Sequence, residues 1–280
     1  MKPLRFIDSF LRLTRAWNLL IIVFSQFLVA AMLVGVHTLA DWRLYALSLS
    51  TTLIAAAGYI INDYYDVKID LVNKPGRVVI GKNITRRYAI LFHSLLSFAG
   101  IGVGLFLNWR IGAINLVSAF FLWWYSNDLK RQPFIGNFTV ALLTGLSILI
   151  VDALYQTGNI LIVVYALFGF FMTLIREIIK DMEDLKGDKS YGCKTLPIIW
   201  GMRKTKQVIY MILVLFVTAV FGLNLIFASL PQFYFVLFLF PALLVLVVRL
   251  VRADTTKDFT WLSGFCKAIM LLGVLSIAFI

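Results

Sequence analysis

Nine apolar runs, each about long enough to cross a bilayer as a helix, leave this chain few ways to fold. They cover about 17–39, 44–62, 88–107, 111–127, 135–154, 160–179, 207–227, 232–250 and 260–279. Within hydrocarbon a chain must satisfy its own backbone N–H and C=O groups, and runs of roughly 20 residues do so as α-helices. The expected fold is all-α: a polytopic membrane protein with nine transmembrane helices in a single bundle around a central cavity opening to the cytoplasmic side. No Pro- or Ser-rich linker interrupts the 280 residues. One domain, 1–280, is therefore expected, with cytoplasmic cap loops at about 66–87 and 180–206. Composition agrees, since 61% of the residues are hydrophobic and only 14% charged, a balance that calls for lipid as the solvent.

Charge sets the orientation. Lys2, Arg5, Arg12 and Arg15 precede the first run, which lacks a small-residue cleavage site and reads as a retained anchor. With that end inside, nearly all remaining Lys and Arg fall in cytoplasmic connections, and only Arg43 and Arg110 fall opposite. The expected location is the cell membrane, multi-pass, with the N-terminus and the functional loops cytoplasmic. The net charge of +12 follows from this asymmetry and from attraction to anionic headgroups; nucleic acid is not an expected partner, and no obligatory protein partner is implied. Two cysteines and two histidines offer little to zinc or iron. Any metal should be a hard, oxygen-seeking one.

Against this apolar background eight of the fourteen Asp and Glu residues crowd into 63–70 and 177–188. One spacing, D-x-x-D-x-x-x-D, occurs at Asp63, Asp66 and Asp70 and again at Asp181, Asp184 and Asp188. On a helix, i, i+3 and i+7 lie within a fan of roughly 60°, so each triplet aims three carboxylates the same way. The two motifs start four predicted helices apart, which suggests a four-helix unit used twice with one helix left over. Carboxylates so close to a low-dielectric interior repel one another unless paired or metal-bound. Pairing with Lys68, Lys74, Lys180, Lys186 and Lys189 in the wet interface would explain one triplet; two triplets of matching spacing favour a metal. Magnesium prefers carboxylates together with phosphate oxygens and water, so two ions bridging a diphosphate are the expected ligand. Arg77, Lys130 and Arg131 are placed to offset the remaining negative charge.

These residues carry a resemblance to the UbiA superfamily of intramembrane prenyltransferases, over essentially the whole chain. The first family motif, N-D-x-x-D-x-x-x-D, is matched at Asn62, Asp63, Asp66 and Asp70, and the second at Asp181, Asp184 and Asp188. Tyr125 and Lys130 are similar to the family's tyrosine–lysine segment, at a spacing of five where many members have four. Arg15-Ala16-Trp17-Asn18 looks like its R-P-x-N element without the proline. The resemblance implies magnesium-dependent transfer of a polyprenyl group from its diphosphate to a membrane-associated acceptor. It implies catalytic roles for Asn62, Asp66, Lys130 and Tyr125, substrate contacts from Arg15, Asn18, Arg77, Lys130 and Lys180, and metal ligation by the six motif aspartates. Tyr64, Tyr65, Trp123, Trp124 and Tyr125 are candidates to face an allylic cation, with ordinary packing the competing role for each.

Within the superfamily, the string from Arg176 to Asp188 and Lys194-Thr195-Leu196-Pro197 is most similar to the ether-lipid branch. That implies a geranylgeranyl group and geranylgeranylglyceryl phosphate as acceptor. Where the branch usually has R-P-I-P, this chain has Arg77-Val78-Val79-Ile80. The alternative is an aromatic acceptor of quinone biosynthesis. A cation transporter would place its acids near the bilayer midplane, a purely structural protein leaves the triplets unexplained, and the D-G-x-x-A-R run of CDP-alcohol phosphotransferases is absent.

Overall fold

The structure, a computed structural model, describes residues 3–226 and 232–279. Lys2 and residue 227 of the seventh expected run lie outside these. The described residues form helices in the order α1 (Pro3–Leu13), α2 (Ala16–Val29), α3 (Trp42–Asn73), α4 (Arg86–Leu107), α5 (Trp109–Asn127), α6 (Ile135–Tyr155) and α7 (Ile160–Glu183). Then come α8 (Leu185–Ser190), α9 (Leu196–Ile226), a short α10 (Gln232–Tyr234), α11 (Phe240–Arg252) and α12 (Thr256–Leu275). No strand is formed among them; the one β-bridge joins Ile80 and Ile84.

Eight of these helices, not nine, are long and apolar enough to span a membrane among the described residues. The missing one is a helix nonetheless: the run expected at 111–127 is α5, Trp109–Asn127. Arg110, Asn115 and the Trp123-Trp124-Tyr125 end dilute its apolarity. Both expected cap loops are also shorter than foreseen. α3 continues through the acid triplet to Asn73, while 180–206 contains the end of α7, all of α8 and the start of α9. α9 bends at Gly201, whose φ of 77° suits a residue without a Cβ.

The chain separates into two compact units. The first takes in the described residues through Lys130 and adds Ser147–Gly158; the second holds Arg131–Leu146 and the described residues from Asn159 on. In the first, α3 packs along α4 and α5. Asn115, 2% exposed, joins all three: its Nδ2 donates to Ser50 Oγ at 3.1 Å and to the Gly100 carbonyl at 3.0 Å. Such interhelical bonds contribute about 1 kcal/mol each in lipid. At the far end of α3, Asp41 caps the helix by accepting from the Arg43 N–H, and the Arg43 guanidinium hydrogen-bonded to it holds its carboxyl below the usual range. α4 and α5 approach closely at glycine. A Cβ on Gly112 would lie 2.3 Å from Leu105 Cδ2 and 3.0 Å from Leu105 Cα. Gly112→Ala should therefore cost about 1–3 kcal/mol by overpacking, read as a lower unfolding temperature in detergent. Gly102→Ala, with open space around it, should be neutral; equal behaviour of the two variants would contradict the close approach.

α1 is amphipathic. Phe6, Phe10 and Leu13 pack into a cluster with Ile60, Val79, Ile80, Ile84 and Ala89, whereas Ile7 and Leu11 point outward and Asp8 pairs with Arg12. Val79 and Ile80, the departure from R-P-I-P, thus pin the 74–85 connection into this cluster. Asn83 reinforces it by donating to Ser9 Oγ at 2.8 Å. In the second unit α7 is the central helix, packed on α12 and α9, and its inward face is buried from Leu161 to Glu183.

Candidate active site

In the first unit the acids stand on the last turns of α3, so Asp63, Asp66 and Asp70 share one helical face. Two cations from distant segments close on it. Arg15 Nη2 donates to Asp63 Oδ1 at 2.8 Å, with its guanidinium 4.9 Å from the Tyr59 ring centroid. Lys130 Nζ donates to Asp66 Oδ1 at 2.5 Å, the two side chains being only 9% and 16% exposed. Arg15 reaches the acid because the chain turns sharply there: it lies between α1 and α2 at φ 52°, ψ 54°. That left-handed conformation costs a non-glycine residue about 1 kcal/mol or more. Asn18 follows one turn later, its N–H bonded to the Arg15 carbonyl at 2.7 Å.

Asn62 Oδ1 is buried and has no hydrogen-bond partner. A buried acceptor left so costs about 1–3 kcal/mol, and beside Asp63 it marks a place that can accept an incoming donor or cation. Tyr125 is half-buried near the end of α5. Arg77 is exposed, and its N–H closes a turn onto the Lys74 carbonyl. Trp123 and Trp124 are exposed, and each meets the Phe120 ring at a tilt, with centroids 6.1 Å and 5.8 Å apart. Tyr64 carries the Arg86 guanidinium 5.0 Å from its centroid and meets Tyr65 edge-on.

In the second unit the acids do not lie on one unbroken helix as the spacing implies. α7 ends at Glu183, and Asp184, at φ −93° and ψ 7°, is the joint from which α8 departs with Asp188 in its first turn. Asp181 Oδ2 accepts from Asn137 Nδ2 at 2.9 Å. Lys180 is held by Glu177, which also takes Arg176: the distances are 2.9 Å and 2.5 Å, and Glu177 is 5% exposed. Sequence reasoning missed Asn137 and the bridging role of Glu177. The only signals were a lone amide opening an apolar run and one extra acid ahead of the triplet.

These groups suit a hard divalent cation. Every candidate donor is an oxygen, and one of them, Asn62 Oδ1, is already desolvated without a partner. Among the described residues no three His, Cys, Asp or Glu form a ready-made cage. Magnesium needs none, since it is usually held by one or two carboxylates with phosphate oxygens and waters completing the shell.

The helices are those of a multi-pass membrane protein with acids at helix ends, and residues 23–272 match the UbiA prenyltransferase family, to which the chain belongs. It is an enzyme of that class and a multi-pass membrane protein. Among its relatives is the digeranylgeranylglyceryl phosphate synthase of Sulfurisphaera tokodaii, 32% identical over 260 residues and 89% of each chain. The synthase of the same name from Methanobrevibacter smithii is 30% identical over 97% of each. A solved structure concerned with digeranylgeranylglyceryl phosphate synthase in membranes has a TM-score of 0.71 at 25% identity, covering 98% of this chain and 97% of that one. A UbiA homolog from Archaeoglobus fulgidus, bound to DMAPP and Mg2+, shares the fold with a TM-score of 0.72 at 17% identity, over 97% of this chain and 100% of that one.

Proposed function

We propose that this prenyltransferase moves a geranylgeranyl group from its diphosphate to the free hydroxyl of geranylgeranylglyceryl phosphate, with magnesium as the required cation. The observation that carries the reading is likeness to synthases of that product over 89% and 97% of both chains. The all-oxygen donor sets on both acid segments support it, as does the DMAPP- and Mg2+-bound relative.

Magnesium, when bound, stabilises the charge that gathers on the departing diphosphate. Asp63, Asp66, Asp70, Asp181, Asp184 and Asp188 are its proposed ligands, two ions in number. Arg15 and Lys130, which hold Asp63 and Asp66, would contact the phosphate oxygens, and the two carboxylates would help to hold the metal. Arg77, Asn18 and Lys180 add substrate contacts. Asn62 orients the metal-bound group through its unpaired Oδ1, and Tyr125 faces the allylic carbon. The surrounding apolar helices keep water from the reacting carbon; its bond to the diphosphate breaks, the acceptor hydroxyl oxygen bonds to it, and the hydroxyl proton leaves with the diphosphate. We place the acid-bearing ends on the cytoplasmic side, a reading that the distribution of Lys and Arg supports.

The test is an acceptor panel with purified protein and labelled geranylgeranyl diphosphate. The product is expected on geranylgeranylglyceryl phosphate; labelling of hydroxybenzoate or dihydroxynaphthoate alone would overturn the acceptor. Chelation should stop turnover and added magnesium restore it, whereas full activity in excess chelator would remove the metal from the reaction.

A further inference from the structure

In the second unit a cavity of about 290 Å³ opens at the turn between α11 and α12, lined by Val248, Arg249, Arg252, Asp258, Trp261 and Leu262. None of these belongs to the acid sites. Both helices are candidate membrane spans ending or starting here, so the turn lies where hydrocarbon gives way to headgroups. Thr260 Oγ1 donates to Glu183 Oε1 at 3.1 Å, which fixes the turn beside the end of α7.

Its chemistry is that of an anion site with a greasy floor. Arg249 and Arg252, three residues apart on the last turn of α11, face the same way. The Arg249 guanidinium stands 5.2 Å from the centroid of Trp261, which is 46% exposed. One carboxylate opposes them: Asp258 Oδ2 accepts from the Thr255 N–H at 2.9 Å, the Thr255 hydroxyl at 2.8 Å and the Asp254 N–H at 3.2 Å, which holds it at the start of α12, and the two arginines outweigh its single charge. The last carbonyls of α11, which would repel an anion, are covered as well. Lys206 Nζ donates to Ala253 at 2.6 Å and to Val251 at 3.3 Å. Val248 and Leu262 supply an apolar floor that a free inorganic anion has no use for. The space is many times what a single water needs, enough for a headgroup and its glycerol.

We propose that this cavity seats the phosphate-ester headgroup of an anionic bilayer lipid. The two arginines hold the phosphate, Trp261 covers the glycerol, and Val248 and Leu262 meet the first chain carbons. The inference does not rest on the acceptor's identity.

The test uses the full chain in nanodiscs of phosphatidylcholine with or without phosphatidylglycerol, read by thermal unfolding and by lipids retained in native mass spectrometry. Phosphatidylglycerol should be retained preferentially and raise the unfolding temperature. Arg249→Gln with Arg252→Gln should weaken that retention by about tenfold or more, and Arg252→Gln alone, at an exposed position, should weaken it measurably. Arg203→Gln with Lys204→Gln, an equal charge loss at exposed positions off the cavity, should leave it unchanged. Equal loss in both pairs, or displacement of the lipid by inorganic phosphate at similar concentration, would overturn the proposal. With geranylgeranylglyceryl phosphate added to the phosphatidylglycerol nanodiscs, its retention in place of phosphatidylglycerol would do so too.

Discussion

Asp66→Asn is expected to lower turnover by roughly 10²- to 10³-fold while the protein stays folded. Asn keeps an oxygen to receive the Lys130 hydrogen bond, so the 2.5 Å contact can survive as a neutral acceptor; what is lost is the charge that a divalent cation requires. The same substitution at Asp184 should act alike. Because Asp66 and Lys130 share one contact, Asp66→Asn with Lys130→Gln should cost much less than the product of the two single losses. Steady-state rates over a magnesium titration, with thermal unfolding as the check on folding, decide the matter. Near-normal turnover of Asp66→Asn at limiting magnesium would contradict the assigned role.

Glu177→Gln should be the most destabilising of the changes considered, by about 3 kcal/mol. One carboxylate, 5% exposed, balances both Arg176 and Lys180, so neutralising it removes the counter-charge they share. Partial exposure of Lys180, at 24%, lets water recover some of the loss. Arg176→Gln in addition should restore part of the stability, since one of the stranded charges is then gone. Denaturation in mild detergent distinguishes the outcomes: if the double variant is no better than the single one, Glu177 is not the shared counterion.

How much of this was readable beforehand depends on the range of the interaction. Apolar runs are local, and they located every long helix, α5 included, because hydrocarbon leaves the backbone no alternative. Helix ends are harder to place, because charge near them reads as loop. α3 runs seven residues past Asp66 because Arg15 and Lys130 supply counter-charge to its polar end, and those partners lie 48 and 64 residues away. The spacing of the acids was legible, and on α3 its helical meaning holds. At Asp184 it does not, because α7 stops there and a bend replaces the second turn. Asn137 resisted detection for a related reason: a single amide in a greasy run says nothing until α7 is seen beside it. Val79 and Ile80 looked like a departure from a motif, but the cluster under α1 shows them anchoring the cap connection.

Arg15 bends the backbone between the amphipathic α1 and the apolar α2, and its guanidinium grips Asp63. Posture and charge are therefore mechanically joined at a single position. A substitution that relaxes the turn at Arg15 is expected to loosen the hold on Asp63 as well.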